Sequence, residues 1–207
     1  MSRIIIPYAR GHLREETVAA VEAYCPKGVR WATVCVDEKP GIEMLWPEPH
    51  TGYHEMLAEM WGEKETTIII EHDIVIVPGI IEELLACEHD WCGAPYFVAS
   101  HVQVCLGCTK FSSRLMFDYP NVMHDAGEII TSAPAKDWHR VDIRIEEVLM
   151  QRLKVERHAH ETQVGHINDQ HRGVTGPQYN VNDTAPRSEQ AMKLDQGVAF
   201  FAEMGLV

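Results

Sequence analysis

The chain has no apolar run approaching the ~18 residues that a membrane-spanning helix requires, so no transmembrane segment is expected. Its start, Met1-Ser2-Arg3 followed by three isoleucines and Pro7, is too short for a secretory leader, and a cytoplasmic protein is the expectation. Runs of Lys and Arg never exceed two residues, and 18 basic residues stand against 31 acidic ones, a net charge of −13. Sequence-independent binding to phosphate backbones needs clustered basic residues. The charge therefore weighs against a nucleic-acid-coating protein, although it leaves a local basic groove open. Internal repeats and low-complexity segments are also lacking, which leaves one domain as the simplest organisation for 207 residues.

Cysteine is present but sparsely patterned. Cys87, Cys92, Cys105 and Cys108 have the spacing C-x4-C-x12-C-x2-C, superficially that of a zinc site. Residues 101–110 read as one strand, however, and side chains three positions apart on a strand face opposite sides. Buried free thiols are the favoured reading, and disulfides are not expected in a reducing compartment. His158 and His160 share a strand face, so a metal pair is geometrically possible there. Two further ligands at suitable spacing are missing from the sequence around them.

Hydrophobic periodicity organises the first half as alternating strand and helix. Residues 3–6 form a short apolar strand stopped by Pro7, and residues 13–24 carry Leu13, Val18, Val21 and Tyr24 on roughly one helical face. Pro26 and Gly28 end that helix, and residues 29–36 read as a second strand. A Pro/Gly-rich loop leads to a helix over 53–61, and Thr66–Ile70 follows as a third strand. Such alternation implies βαβ units in a parallel sheet. Later expectations are a helix over 80–87 with Glu82 and Glu83 facing water, strands over 91–96 and 102–108, and a helix over 112–119. A further helix over 138–153 carries Val141, Ile145, Val148 and Leu149 on one face. A final helical pattern occupies 188–204.

The most informative stretch is Thr66-Thr67-Ile68-Ile69-Ile70-Glu71-His72-Asp73. An apolar run without polar alternation reads as a strand buried on both faces. Glu71 and Asp73 then fall just beyond its carboxyl end, where open α/β sheets bind ligands. At a spacing of two they point the same way if the strand geometry continues. Paired oxygens of this kind suit Mg²⁺ or Mn²⁺ on a diphosphate. Two solvated acids in a turn would read the same.

The order of these pieces resembles a GT-A-type glycosyltransferase, a nucleotide-diphospho-sugar transferase, over roughly residues 3–170, in the form of the small stand-alone enzymes of phage and bacteria. The resemblance implies an α/β fold, a Rossmann-like, mostly parallel mixed sheet with helices on both faces. It assigns residues 1–174 to a catalytic domain and 175–207 to a tail packing on it. It implies that Pro7, Tyr8, Ala9 and Arg10 form the nucleotide-cradling loop after the first strand, with Tyr8 on the base and Arg10 on a phosphate. Asp37, closing the second strand, would read the base or ribose. Glu71-His72-Asp73 matches the family's Asp-x-Asp signature with glutamate in its first place. Asp73 is thus the implied ligand of a Mn²⁺ or Mg²⁺ ion, with Glu71 on the ribose or on a metal-bound water. His166, in Val164-Gly165-His166, matches the late histidine that supplies a second ligand. Asp90–Tyr96 matches the strand bordering the donor sugar, and Gly107 allows close approach of a ligand or of packing atoms. Asp142 matches the catalytic base of inverting members, with Glu146 and Asp137 as alternates. The implied partners are a nucleotide-sugar donor and an unspecified acceptor: a glycan, a protein or a modified nucleobase.

Two other classes compete. A sugar-phosphate nucleotidylyltransferase would use a similar sheet and metal, but it carries a Gly-rich basic loop after the first strand. Here that loop has one glycine, Gly11, and two arginines, Arg10 and Arg14. A non-enzymatic metal-binding or interaction module would account for the cysteines and the acidic surface. It would leave unexplained why acids end the most buried strand.

Overall fold

The structure, a computed structural model, describes residues 2–36, 49–98, 101–133 and 140–167. Strand β1 (Ser2–Tyr8) is followed by α1 (Glu15–Tyr24), β2 (Arg30–Cys35), α2 (Pro49–Glu63) and β3 (Thr66–Ile70). β1 lies between β2 and β3 and is parallel to both, with Ile5 level with Ala32 and Ile69. The remaining described elements are β4 (Ile74–Val75), α3 (Ile80–Ala86), β5 (Trp91–Gly93), β6 (Tyr96–Val98), β7 (His101–Gln103), β8 (Cys108–Phe111), α4 (Ser113–Asp118), α5 (Val122–Ser132), α6 (Val141–Glu146), β9 (His158–Ala159) and β10 (Gly165–His166).

Six of these strands form one sheet in the order β2-β1-β3-β8-β5-β9. Only β8 runs against its neighbours, so the sheet is mixed and mostly parallel. Side chains alternate between its faces, as a pleated strand requires. Ile4, Ile6, Ile68, Ile70, Cys92 and Cys108 pack with Val21 of α1 and Leu84 of α3. Ile5, Ile69, Trp91 and Phe111 pack on the opposite side with residues of α2, α4, α5 and α6. Ile68, Ile69 and Ile70 are fully buried, which is what an unbroken apolar run in a sheet covered on both faces should give.

Several expectations need correction. The stretch 91–96 is not one strand: β5 stops at Gly93, and Tyr96 begins a separate hairpin with β7. Likewise β7 and β8 are interrupted. Cys105 lies in the intervening turn, where its carbonyl accepts a hydrogen bond from Thr109 Oγ1 at 2.9 Å. Cys105 and Cys108 therefore do not share a single strand, and the expected opposite-face placement does not apply to them. Helix α5 was not foreseen, although Met123, Ala126, Gly127 and Ile130 have helical spacing and are buried. Within the region read as 138–153, the helix widens after Glu146 into a π-helical stretch, Glu147–Arg152, where the Leu153 N–H donates to the Val148 carbonyl at 3.0 Å. Val141, Ile145, Val148 and Leu149 are nonetheless all buried. Glu83 is only partly exposed: its carboxylate accepts a hydrogen bond from Thr162 and meets His160. The expected helix over 188–204 and the tail 175–207 lie outside the described residues.

Candidate active site

The carboxyl ends of β1, β2 and β3 share one edge of the sheet, because these strands are parallel and in register. The chain leaving β3 turns at once: the Ile74 N–H donates to the Glu71 carbonyl at 3.0 Å. The turn is held on two sides. The Glu71 N–H donates to the Gly107 carbonyl at 2.8 Å, and the His72 carbonyl accepts from the Arg14 N–H at 3.3 Å and from Thr17 Oγ1 at 2.9 Å. Thr17 is fully buried in α1, so the first turns of that helix fix the Glu71–Asp73 corner.

β4 then pairs antiparallel with β10, setting His166 opposite Ile74, and the Ile167 N–H donates to the Asp73 carbonyl at 2.8 Å. These main-chain bonds bring His166 Nε2 to 3.2 Å from Asp73 Oδ2. Burial pushes the Asp73 carboxyl up, but the hydrogen bond and charge of His166 outweigh it and hold the group below the usual aspartate range. The ring of Tyr96 lies 5.5 Å from that of His166.

Glu71 takes a different partner. Tyr53, half-buried on α2, donates its hydroxyl to Glu71 Oε1 at 3.0 Å. Burial, and then the neighbouring charge of Asp73, push the Glu71 carboxyl up to about 7. Asp142 stands in the first turn of α6, half-buried. Its charge is felt at Glu71, Tyr53, Tyr96 and Cys105, which puts it in their neighbourhood, and its own carboxyl is raised by burial. The alternate Glu146 is paired with Arg157, and Asp137 lies outside the described residues.

The other sequence-predicted positions divide. Pro7 is buried and Tyr8 half-buried at the end of β1, where the Tyr8 carbonyl accepts from the Val36 N–H at 3.0 Å. Ala9 and exposed Arg10 begin the loop, which turns where the His12 N–H meets the Ala9 carbonyl at 2.9 Å and Gly11 adopts φ +79°. Asp37 lies outside the described residues. Gly107 serves packing: a Cβ there would come within 2.6 Å of the Tyr96 ring. Tyr53 was missed, because a tyrosine at the start of an amphipathic helix carries no spacing signal. Tyr96 lay in a stretch singled out as donor-side, but its side chain was given no role.

The Asp73–His166 separation fits a shared divalent cation. Ligands about 2.1 Å from an octahedral ion stand roughly 3.0 Å apart at neighbouring vertices. Among the described residues, no third Asp, Glu, Cys or His atom joins this pair within 4.8 Å. The protein thus offers two donors, and substrate phosphates and water would supply the rest, which is how such ions are commonly held.

No protein-family model matches the chain, and no curated protein does either. Among solved structures, the chain is similar to a glycosyltransferase involved in the glycosylation of the major capsid of PBCV-1. That likeness has 14% identity and a TM-score of 0.49, over 77% of this chain and 81% of the other.

Proposed function

We propose that this chain is a glycosyltransferase that moves a sugar from a nucleotide-diphosphate donor to an acceptor hydroxyl, with Mn²⁺ or Mg²⁺ held by Asp73 and His166. The observation that carries the reading is the approach of Asp73 Oδ2 and His166 Nε2 at the carboxyl end of β3, whose three isoleucines are fully buried. Two segments distant in sequence are joined there by strand pairing, at the place where α/β sheets bind nucleotides. When bound, the cation neutralises charge on the departing nucleoside diphosphate.

The chain's own residues do the rest. Tyr8 stacks on the base and Arg10 meets a phosphate. Glu71, steadied by Tyr53, accepts a ribose hydroxyl. Asp142 takes the proton of the acceptor hydroxyl as its oxygen bonds to the anomeric carbon and the bond from that carbon to the diphosphate oxygen breaks. Burial raises the Asp142 carboxyl, which makes it a better base than a solvated aspartate. A nucleotidylyltransferase is not favoured, since the loop after β1 offers phosphates only Gly11 as a glycine.

The test is release of nucleoside diphosphate from a panel of nucleotide-sugars with Mn²⁺ or Mg²⁺. Turnover of one donor class is expected, and Asp142→Asn should lower it by about 10²–10⁴-fold while donor affinity stays unchanged. Absence of both release and binding across the panel would overturn the reading.

A further inference from the structure

On the opposite side of the sheet from α5 and α6, a second set of donors converges that the candidate active site does not use. One ligand atom each from Cys87, Cys92 and His160 lies within 4.8 Å of the other two. Cys87 caps the carboxyl end of α3, Cys92 is the central residue of β5, and His160 follows β9. The register that sets Cys92 beside His158 places His160 on the same face, two residues further along.

His160 is only 9% exposed. Its Nδ1 is 2.8 Å from Glu83 Oε1, and Thr162 holds the other oxygen of that carboxylate at 2.7 Å. Its Nε2 is buried without a hydrogen-bond partner. A buried ring nitrogen left unpaired costs free energy unless something occupies it. A carboxylate on one imidazole nitrogen, with the other nitrogen vacant, is the arrangement that orients a histidine toward a metal. Around it, Lys110 Nζ fixes the Cys87 carbonyl at 2.6 Å, and the rings of His158 and His160 have centroids 4.9 Å apart.

We infer that Cys87, Cys92 and His160 Nε2 form a structural zinc site, with His158 turning to fill the fourth position. Ligand sulfurs about 2.3 Å from a tetrahedral zinc stand roughly 3.8 Å apart, so side-chain movements of about 1 Å bring these three donors to bonding distance, while His158 must leave its stacking on the His89 ring to join them. The ion would staple α3, β5 and the β9 segment together. That segment continues alongside β5 and β6, where the His160 N–H donates to the Gly93 carbonyl and the Val164 N–H to the Pro95 carbonyl, each at 3.0 Å, before it delivers His166. By spacing alone Cys87 and Cys92 group with Cys105 and Cys108, whereas the fold groups them with the distant His160.

Metal analysis of the full-length protein, loaded with zinc and dialysed against chelator, tests this directly. About one retained zinc per chain is expected, released on titration of the thiols with a mercurial. Cobalt in its place should give the intense thiolate-to-metal absorption of a tetrahedral site. Glu83→Gln, which leaves all ligands in place, should weaken zinc about 10–100-fold, and Asp73→Ala should leave zinc content and the cobalt band unchanged. The wild-type cobalt spectrum remains decisive if ligand variants fail to fold. Zinc below about 0.1 per chain, cobalt bound without the thiolate band, zinc lost in Asp73→Ala, or a Cys87–Cys92 disulfide in freshly purified protein would each overturn the site.

Discussion

At the scale of single residues, the account turns on which groups can carry charge in a half-buried cleft. Asp73 is kept anionic by His166, whereas Glu71 is burdened by burial and by Asp73 itself. The two acids of Glu71-His72-Asp73 are therefore not equivalent. His166→Ala should abolish the effect of Mn²⁺ on nucleotide binding, because the cation loses one of its two protein donors; calorimetric titration with and without metal reads this. Tyr53→Phe removes a single hydrogen bond to Glu71. It should cost about 0.5–1.5 kcal/mol of stability, measurable by urea unfolding, and leave the metal dependence intact. An unchanged metal dependence in His166→Ala would place the cation elsewhere. Asp73 was legible from the sequence because it ends an apolar run. Tyr53 was not, because its role comes from the packing of α2 against the corner after β3.

At the scale of elements, the strands and helices with strong patterns were legible and the junctions between them were not. β3 and the buried stripe of α6 follow from apolar periodicity. The break between β5 and β6 was hidden because residues 91–96 are continuously apolar, and only Pro95, which cannot donate to a ladder, marks the interruption. α5 was overlooked although its stripe is regular; Gly127 weakens its helical signal, and a Cβ there would sit a tight 3.1 Å from His54 Cε1. Closer crowding at Gly107, where a Cβ would fall 2.6 Å from the Tyr96 ring, makes a prediction. Gly107→Ala drives a methyl into the Tyr96 ring and should destabilise the protein by about 1–3 kcal/mol in chemical denaturation. The junction of β5 and α4 gives a pH test. Partial burial raises the Asp90 carboxyl, but hydrogen bonds from Arg114 and Ser112 more than offset this and leave it below the ordinary aspartate value of 3.8. A lowered folded value means stabilisation that is present above the unfolded value and lost as pH falls through the folded one. Asp90→Asn should therefore lower the melting temperature at neutral pH, and the difference from wild type should shrink as pH falls below the ordinary aspartate value.

At the scale of the whole molecule, a mostly parallel sheet places one edge where the ends of β1, β2 and β3 meet, and the late pairing of β4 with β10 brings His166 to it. No helix among the described residues is long and apolar enough to cross a membrane. The general architecture could be read from the alternation of apolar runs, but the partnership of Asp73 with His166 came only from resemblance. No local pattern encodes a contact made through the pairing of two-residue strands. The most direct measurement of the central claim is thermal unfolding with UDP, GDP, CDP, ADP or dTDP, each with and without Mn²⁺. A ligand at about 100 times its dissociation constant adds ~2.7 kcal/mol, a shift of a few degrees for a chain of this size. The account predicts such a shift for one nucleotide, only with Mn²⁺ and lost in Asp73→Ala. A shift independent of metal, or none with any nucleotide, would contradict it.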